Sequence, residues 1–160
     1  FPSDIQLVLI GYWFIYMKQI KFSLIMIGDL LYEGKGKLVG LRLLNADEYK
    51  IEHTMLEEGK FKDIEITLVG TFWTIPAGKN ITYVEGQGII TTKDNEDTAT
   101  FRGYGIGTSK GQVSVSTRGS VIYKSSSTNG KLSFLNNKIG VFEGEVDESG
   151  TSTEKHWEWK

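Results

Sequence analysis

The chain has 160 residues, 39% hydrophobic and 24% charged, with a net charge of -2 at pH 7. That is enough for one buried core and too little for two, and a charge so near neutrality does not point to nucleic acid as a partner. With no cysteine and only two histidines, His53 and His156, the composition excludes disulfides, thiolate nucleophiles, cysteine-based zinc sites and a multi-histidine metal centre within one chain; no metal or cofactor is expected, and a cytoplasmic location is the default.

The first element is unlike the rest. Leu7 to Met17 is almost wholly apolar, Lys18-Gln19-Ile20-Lys21 interrupts it, and Phe22 to Ile27 is apolar again. Three readings compete. A membrane-spanning helix would carry both lysines near its middle, at a cost of roughly 2.5 to 3.5 kcal/mol each. A secretory signal beginning at Met17 has too short an apolar stretch and no small-residue cleavage site. The third reading starts the natural chain at Met17 or Met26, or packs the segment as an extra element. Residues 1–27 are therefore set apart as an atypical apolar extension, and 28–160 are read as one domain.

That body holds every glycine except Gly11 and a single proline, Pro76, a composition that disfavours long helices. Period-two alternation divides it into about eight strands: Leu30 to Leu44, Tyr49 to Glu58, Phe61 to Ile75, Ile81 to Thr92, Thr98 to Thr108, Gln112 to Lys124, Ile139 to Val146 and Ser152 to Trp159. The breaks carry turn chemistry, as in Glu58-Gly59-Lys60, Pro76 to Asn80, Asp94 to Asp97, Ser109-Lys110-Gly111 and Glu148-Ser149-Gly150. Connections of hairpin length cannot carry a parallel crossover, so consecutive strands should pair antiparallel in a meander. Closing the meander removes its exposed edges, which predicts an all-β closed barrel. Ser125 to Lys138 breaks the pattern and suits a short helical turn or a bent strand.

Three short echoes recur: Glu33-Gly34-Lys35-Gly36, Glu85-Gly86-Gln87-Gly88 and Arg102-Gly103-Tyr104-Gly105. Residues i and i+2 share a face of a strand, so each pair opens a strip without side chains. The strips give room to aromatics such as Phe72, Trp73, Phe101 or Phe142, or shape a ligand cavity; no phosphate-loop spacing follows any of them.

His53 shares a face with Ile51, Met55 and Glu57, which points it inward as a hydrogen-bonded core residue. His156 alternates with Trp157 and Trp159 and reads as a solvated strand residue, the tryptophans packing into the core as the last strand pairs with the first. Arg118 lies among Ser114, Ser116 and Ser120. That polar face is solvated, or else lines a cavity with Arg118 as an anchor for an acidic group. Glu143 and Glu145 share another face and read as solvated glutamates.

Tyr32 to Lys37, Glu85 to Gly88 and the tail from Leu135-Asn136-Asn137 through Gly140-Val141-Phe142-Glu143 to Trp157-Glu158-Trp159-Lys160 resemble a family of small uncharacterised archaeal proteins over about Gly28 to Lys160. More loosely, the glycine-rich hairpins resemble the allene oxide cyclase-like and dirigent-like barrels. The resemblance implies an eight-stranded barrel that holds an apolar ligand and forms a homo-dimer or trimer. The leading expectation is a binding barrel for a small apolar or amphipathic molecule, with Glu85, Tyr104, Arg118, Asn136, Asn137 and Glu143 as candidate polar contacts. A cofactor-free isomerase or cyclase, with Glu143 or His53 moving a proton, and a structural module with a packed interior are the other readings.

Overall fold

The computed structural model describes residues 27–110 and 114–160. The apolar stretch before Ile27, with its three readings, lies outside the described residues. Eight strands follow in order: β1 (Ile27–Asn45), β2 (Lys50–Phe61), β3 (Ile64–Gly78), β4 (Ile81–Thr92), β5 (Thr98–Ser109), β6 (Val115–Ser125), β7 (Ile139–Val146) and β8 (Thr151–Trp159). Each pairs antiparallel with the next and β8 pairs with β1, so the meander closes into one barrel. Among the described residues no helix is long and apolar enough to cross a membrane.

Two boundaries differ from the sequence expectation. Glu58-Gly59-Lys60 is not a turn: β2 runs on to Phe61, and the chain reverses at Lys62, whose φ of 55° supplies the left-handed residue. Gly59 belongs inside the strand because it faces Gly34 across the β1–β2 ladder. A Cβ on Gly59 would lie 2.6 Å from Tyr32 Cε2 and 2.8 Å from the Gly34 backbone, so only glycine lets the Tyr32 ring lie flat there. Likewise β3 continues through Pro76 to Gly78, and the reversal falls at Asn80, with φ of 61°.

One end of the barrel is solid. Leu31, Phe61, Ile66, Ile90, Leu132 and Leu135 are fully or almost fully buried there. Leu132 and Leu135 come from the β6–β7 connection, whose 3-10 turn Ser133–Leu135 folds across the barrel end as a plug. Asp97 holds the plug down. Its buried carboxylate accepts from the Leu132 backbone N–H at 2.8 Å and from the Thr98 N–H at 2.9 Å. Local pattern is weak in this stretch because the plug is shaped by a carboxylate 35 residues away.

The other end is ragged. β1 has 19 residues and β3 has 15, against 8 in β7 and 9 in β8. Pairing of β1 with β8 ends at Lys37 and Thr151, whereas β1 continues beside β2 as far as Asn45. Beyond the β7–β8 turn the wall therefore stands as a lip. Leu41 and Leu43, opposite His53 and Ile51 on this lip, are 71% and 59% exposed.

The inside of β8 is the reverse of the sequence expectation. His156 points into the barrel and is 3% exposed, while Trp159 is 52% exposed and Trp157 sits outside between Val141 and Leu30. The interior of a small barrel is filled by its own side chains. Here glycines seat the aromatics that fill it: Gly88 under Phe101, and Gly119, whose added Cβ would lie 2.7 Å from Phe142 Cε1. Of the aromatics proposed for the glycine strips, Phe72, Phe101 and Phe142 line the interior. Trp73 is on the outer face, where its indole N–H donates to Glu85.

Candidate functional site

On its inner face β1 carries glycine at 34 and 36, between Tyr32 and Leu38. Its neighbours there are Glu57 and Gly59 on β2 and Ser152, Glu154 and His156 on β8. With no side chain on β1 between them, groups from β2 and β8 meet over its backbone. The first Gly-x-Gly echo thus makes room for a polar cluster.

Glu57, 3% exposed, is at its centre. The Tyr32 hydroxyl donates to Glu57 Oε2 at 2.8 Å and the Ser152 hydroxyl to Oε1 at 2.8 Å. Burial, followed by the nearby Glu154 carboxylate, pushes the Glu57 carboxyl up to about 7, although both hydroxyl bonds favour its ionised form. Burial and the charge of Glu57 drive the Tyr32 phenol far above its ordinary range, and burial does the same to Tyr123. Both phenols therefore remain neutral donors at any ordinary pH.

His156 joins the other half of the cluster. Its Nδ1 lies 2.5 Å from the Tyr123 hydroxyl, and its ring packs 4.9 Å from Tyr32 and 5.7 Å from Phe142. Its Nε2 lies 2.9 Å from Glu154 Oε1. That separation is short enough for a bond, yet the atoms are out of line, and Nε2 is buried without a hydrogen-bond partner. So close an approach gives little hydrogen bonding here, because a hydrogen bond weakens steeply when bent. An orphaned buried polar atom of this kind costs about 1 to 3 kcal/mol.

Glu57, Glu154, Ser152 and His156 border a cavity of about 90 Å³ that is not sealed from solvent, with Phe72, Val84, Phe101, Val115, Val121 and Phe142 among its walls. The cavity lies between the plug and the lip, and no lysine or arginine lines it among the described residues.

The residues singled out from sequence are placed elsewhere. Tyr104, Arg118 and Glu143 are exposed on the outer face, where Arg118 is the ladder neighbour of Glu143. Glu85 is outside too, with Trp73. Asn136 holds the plug: its side-chain oxygen accepts from the Ser125 N–H at 2.9 Å. Asn137 takes a φ of 65° at the turn into β7. His53 is half-buried at the lip, stacked on Phe72 at 5.0 Å with its Nε2 3.4 Å from the Thr74 hydroxyl, and burial lowers its pKa. The cluster itself was missed, although alternation already aligned Ser152, Glu154 and His156, and aligned Glu57 with His53.

No protein-family model and no curated protein matches the chain. Solved structures do. A β-barrel-like protein from Acinetobacter baumannii AYE superposes with a TM-score of 0.67 at 12% identity, over 84% of this chain and 95% of that one. A conserved protein of unknown function from Rhodopseudomonas palustris gives 0.65 at 12% identity, over 81% and 95%. A protein with unknown function from Clostridium acetobutylicum ATCC 824 gives 0.64 at 11% identity, over 82% and 97%. At such identity the likeness establishes the fold, a closed β-barrel spanning nearly the whole of each neighbour, and leaves activity to be argued from the site.

Proposed function

We propose that this barrel binds a small apolar or amphipathic molecule, its polar end against Glu57, Glu154 and His156 and its apolar part directed toward the lip. The observation that carries the reading is the unsealed, apolar-walled cavity ending on buried polar groups, one of which has no hydrogen-bond partner. Convergent polar groups at the base of an apolar pocket are the usual form of a small-molecule site. Size narrows the class. An apolar cavity of about 150 Å³ takes benzene, so about 90 Å³ admits a head group and a few carbons; a longer molecule would lie against Phe72, Leu41 and Leu43.

Native mass spectrometry of the purified protein, with fluorescence of the dye ANS, tests the reading. Retained small-molecule mass or dye fluorescence that is lost in Val115→Trp, which fills the cavity, is the expected result. A ligand-free protein that leaves ANS dark, or dye binding unaffected by Val115→Trp, would remove the reading.

A further inference from the structure

We propose that the lip is a dimerisation edge: β1 of a second copy of this chain pairs antiparallel with residues 39–45 and completes the wall beside the cavity mouth. The inference stands on the backbone of the lip and goes beyond the binding reading above. Pairing of β1 with β8 stops at Lys37 and Thr151, and the last contact on that side is the Leu38 N–H donating to the Gly150 carbonyl at 3.0 Å. From there to Asn45, β1 has β2 on one side and, among the described residues, no strand on the other. Its outward N–H and C=O groups therefore face solvent, the arrangement that takes up a further strand.

The side chains of this edge do not protect it. Exposed edges are ordinarily blunted by lysine or proline, and residues 39–45 contain neither. Their one charge, Arg42, is held by Glu52 at 2.8 Å. Bulges bound the stretch but leave Gly40 to Leu43 in regular register with β2. Val39, Leu41 and Leu43 are 56%, 71% and 59% exposed, so the open backbone and the exposed apolar surface coincide.

The sequence of the edge suits its own copy. Two-fold antiparallel pairing centred on Leu41 sets that leucine against its symmetry mate and Gly40 against Arg42; centred on Leu43, it sets leucine against leucine and Arg42 against Leu44. Either way the two arginines stay out of register, and like charges directly opposite would be unfavourable. The two-fold axis of such a pair is perpendicular to the sheet, so side chains on one face in the first copy share that face with the same side chains of the second. Leu41 and Leu43 lie on the face of His53 and Ile51 at the mouth, where the short β7 and β8 leave the single barrel without a wall. The second copy supplies that wall. With four exposed apolar side chains per copy, Leu44 included, and the backbone edges, the pair buries roughly 1,000 Å², the size of a reversible interface.

The chain has no cysteine, so a single introduced thiol reports the pairing, directly opposed Cα atoms being within disulfide reach. Sedimentation equilibrium of the full chain from about 1 μM to about 1 mM gives the oligomeric state. Oxidation of Leu41→Cys and Leu43→Cys is compared with that of Ile122→Cys, a control on the outer face of β6 that is 58% exposed. The expected result is a reversible dimer, a disulfide-linked dimer forming at least tenfold faster in one of the lip variants than in the control, and association at least tenfold weaker in Leu41→Lys. A protein monomeric throughout, a trimer, association unchanged in Leu41→Lys, or a control that cross-links as fast as both lip variants would overturn the proposal. If Leu41→Lys does not fold, the thiol variants decide alone. The ligand reading is tested separately, by retained mass and ANS, and survives a monomeric result.

Discussion

Removing the charge of Glu57 should stabilise this protein at high pH and do much less at low pH. An ordinary glutamate titrates at 4.5, whereas burial and Glu154 raise Glu57 to about 7 in the folded barrel. Between those values the folded state binds more protons than the unfolded one, so stability falls as pH rises, from full strength below 4.5 to its lowest above 7. A rise of about 2.5 pH units at about 1.4 kcal/mol per unit makes the loss about 3 kcal/mol. Glu57→Gln cannot ionise and escapes that loss, while still offering a side-chain oxygen to Tyr32 or Ser152. The measurement is urea unfolding of both proteins at pH 4.5 and pH 8. The difference between them cancels every titrating group that does not interact with Glu57. We expect the variant to gain about 3 kcal/mol relative to the parent on going from pH 4.5 to pH 8, or roughly 6 to 12 °C in thermal midpoint. A parent-minus-variant difference that does not change with pH would refute the placement of a buried, charge-strained carboxyl.

The plug and the glycine strips make equally direct predictions. Leu135→Ala removes a fully buried side chain from the closed end and should cost about 2 to 5 kcal/mol in denaturant unfolding; a cost below about 0.5 kcal/mol would mean that residues 126–138 do not seal the barrel. Gly34→Ala would drive a methyl into the Tyr32 phenol and should cost about 1 to 3 kcal/mol. Because the clash is chiefly with the hydroxyl, the combination with Tyr32→Phe should be non-additive, the second change costing less in the presence of the first. Strict additivity in that cycle would place the Tyr32 ring elsewhere.

The β-architecture was legible because period-two alternation and hairpin-length breaks are local. So was the use of the Gly-x-Gly pairs, since a side-chain-free strip must face something. The orientation of β8 was not. Trp157 and Trp159 carry more apolar area than Glu154 and His156, and burial by hydrophobicity alone puts the tryptophans inside. That reasoning lacks the interior volume, already occupied by Tyr32, Phe61, Phe101 and Phe142, and the hydrogen bond from β6 that gives the His156 ring a partner. Gly59 misled in a similar way: in sequence it resembles a turn residue, and only the ring of Tyr32 lying beside it explains a glycine within a strand.

Local chemistry in the sequence therefore determines the strands, their antiparallel order and the closure of the sheet, because alternation, turn residues and connection length each act within a few neighbours. Tertiary structure alone decides which face is inside, that residues 126–138 close one end, and that Glu57 meets Ser152 across a separation of 95 residues. The reason is physical. A carboxyl, a hydroxyl and an imidazole have no cause to be buried singly, and they become a site only when closure of the barrel brings their strands together over the bare backbone of Gly34 and Gly36.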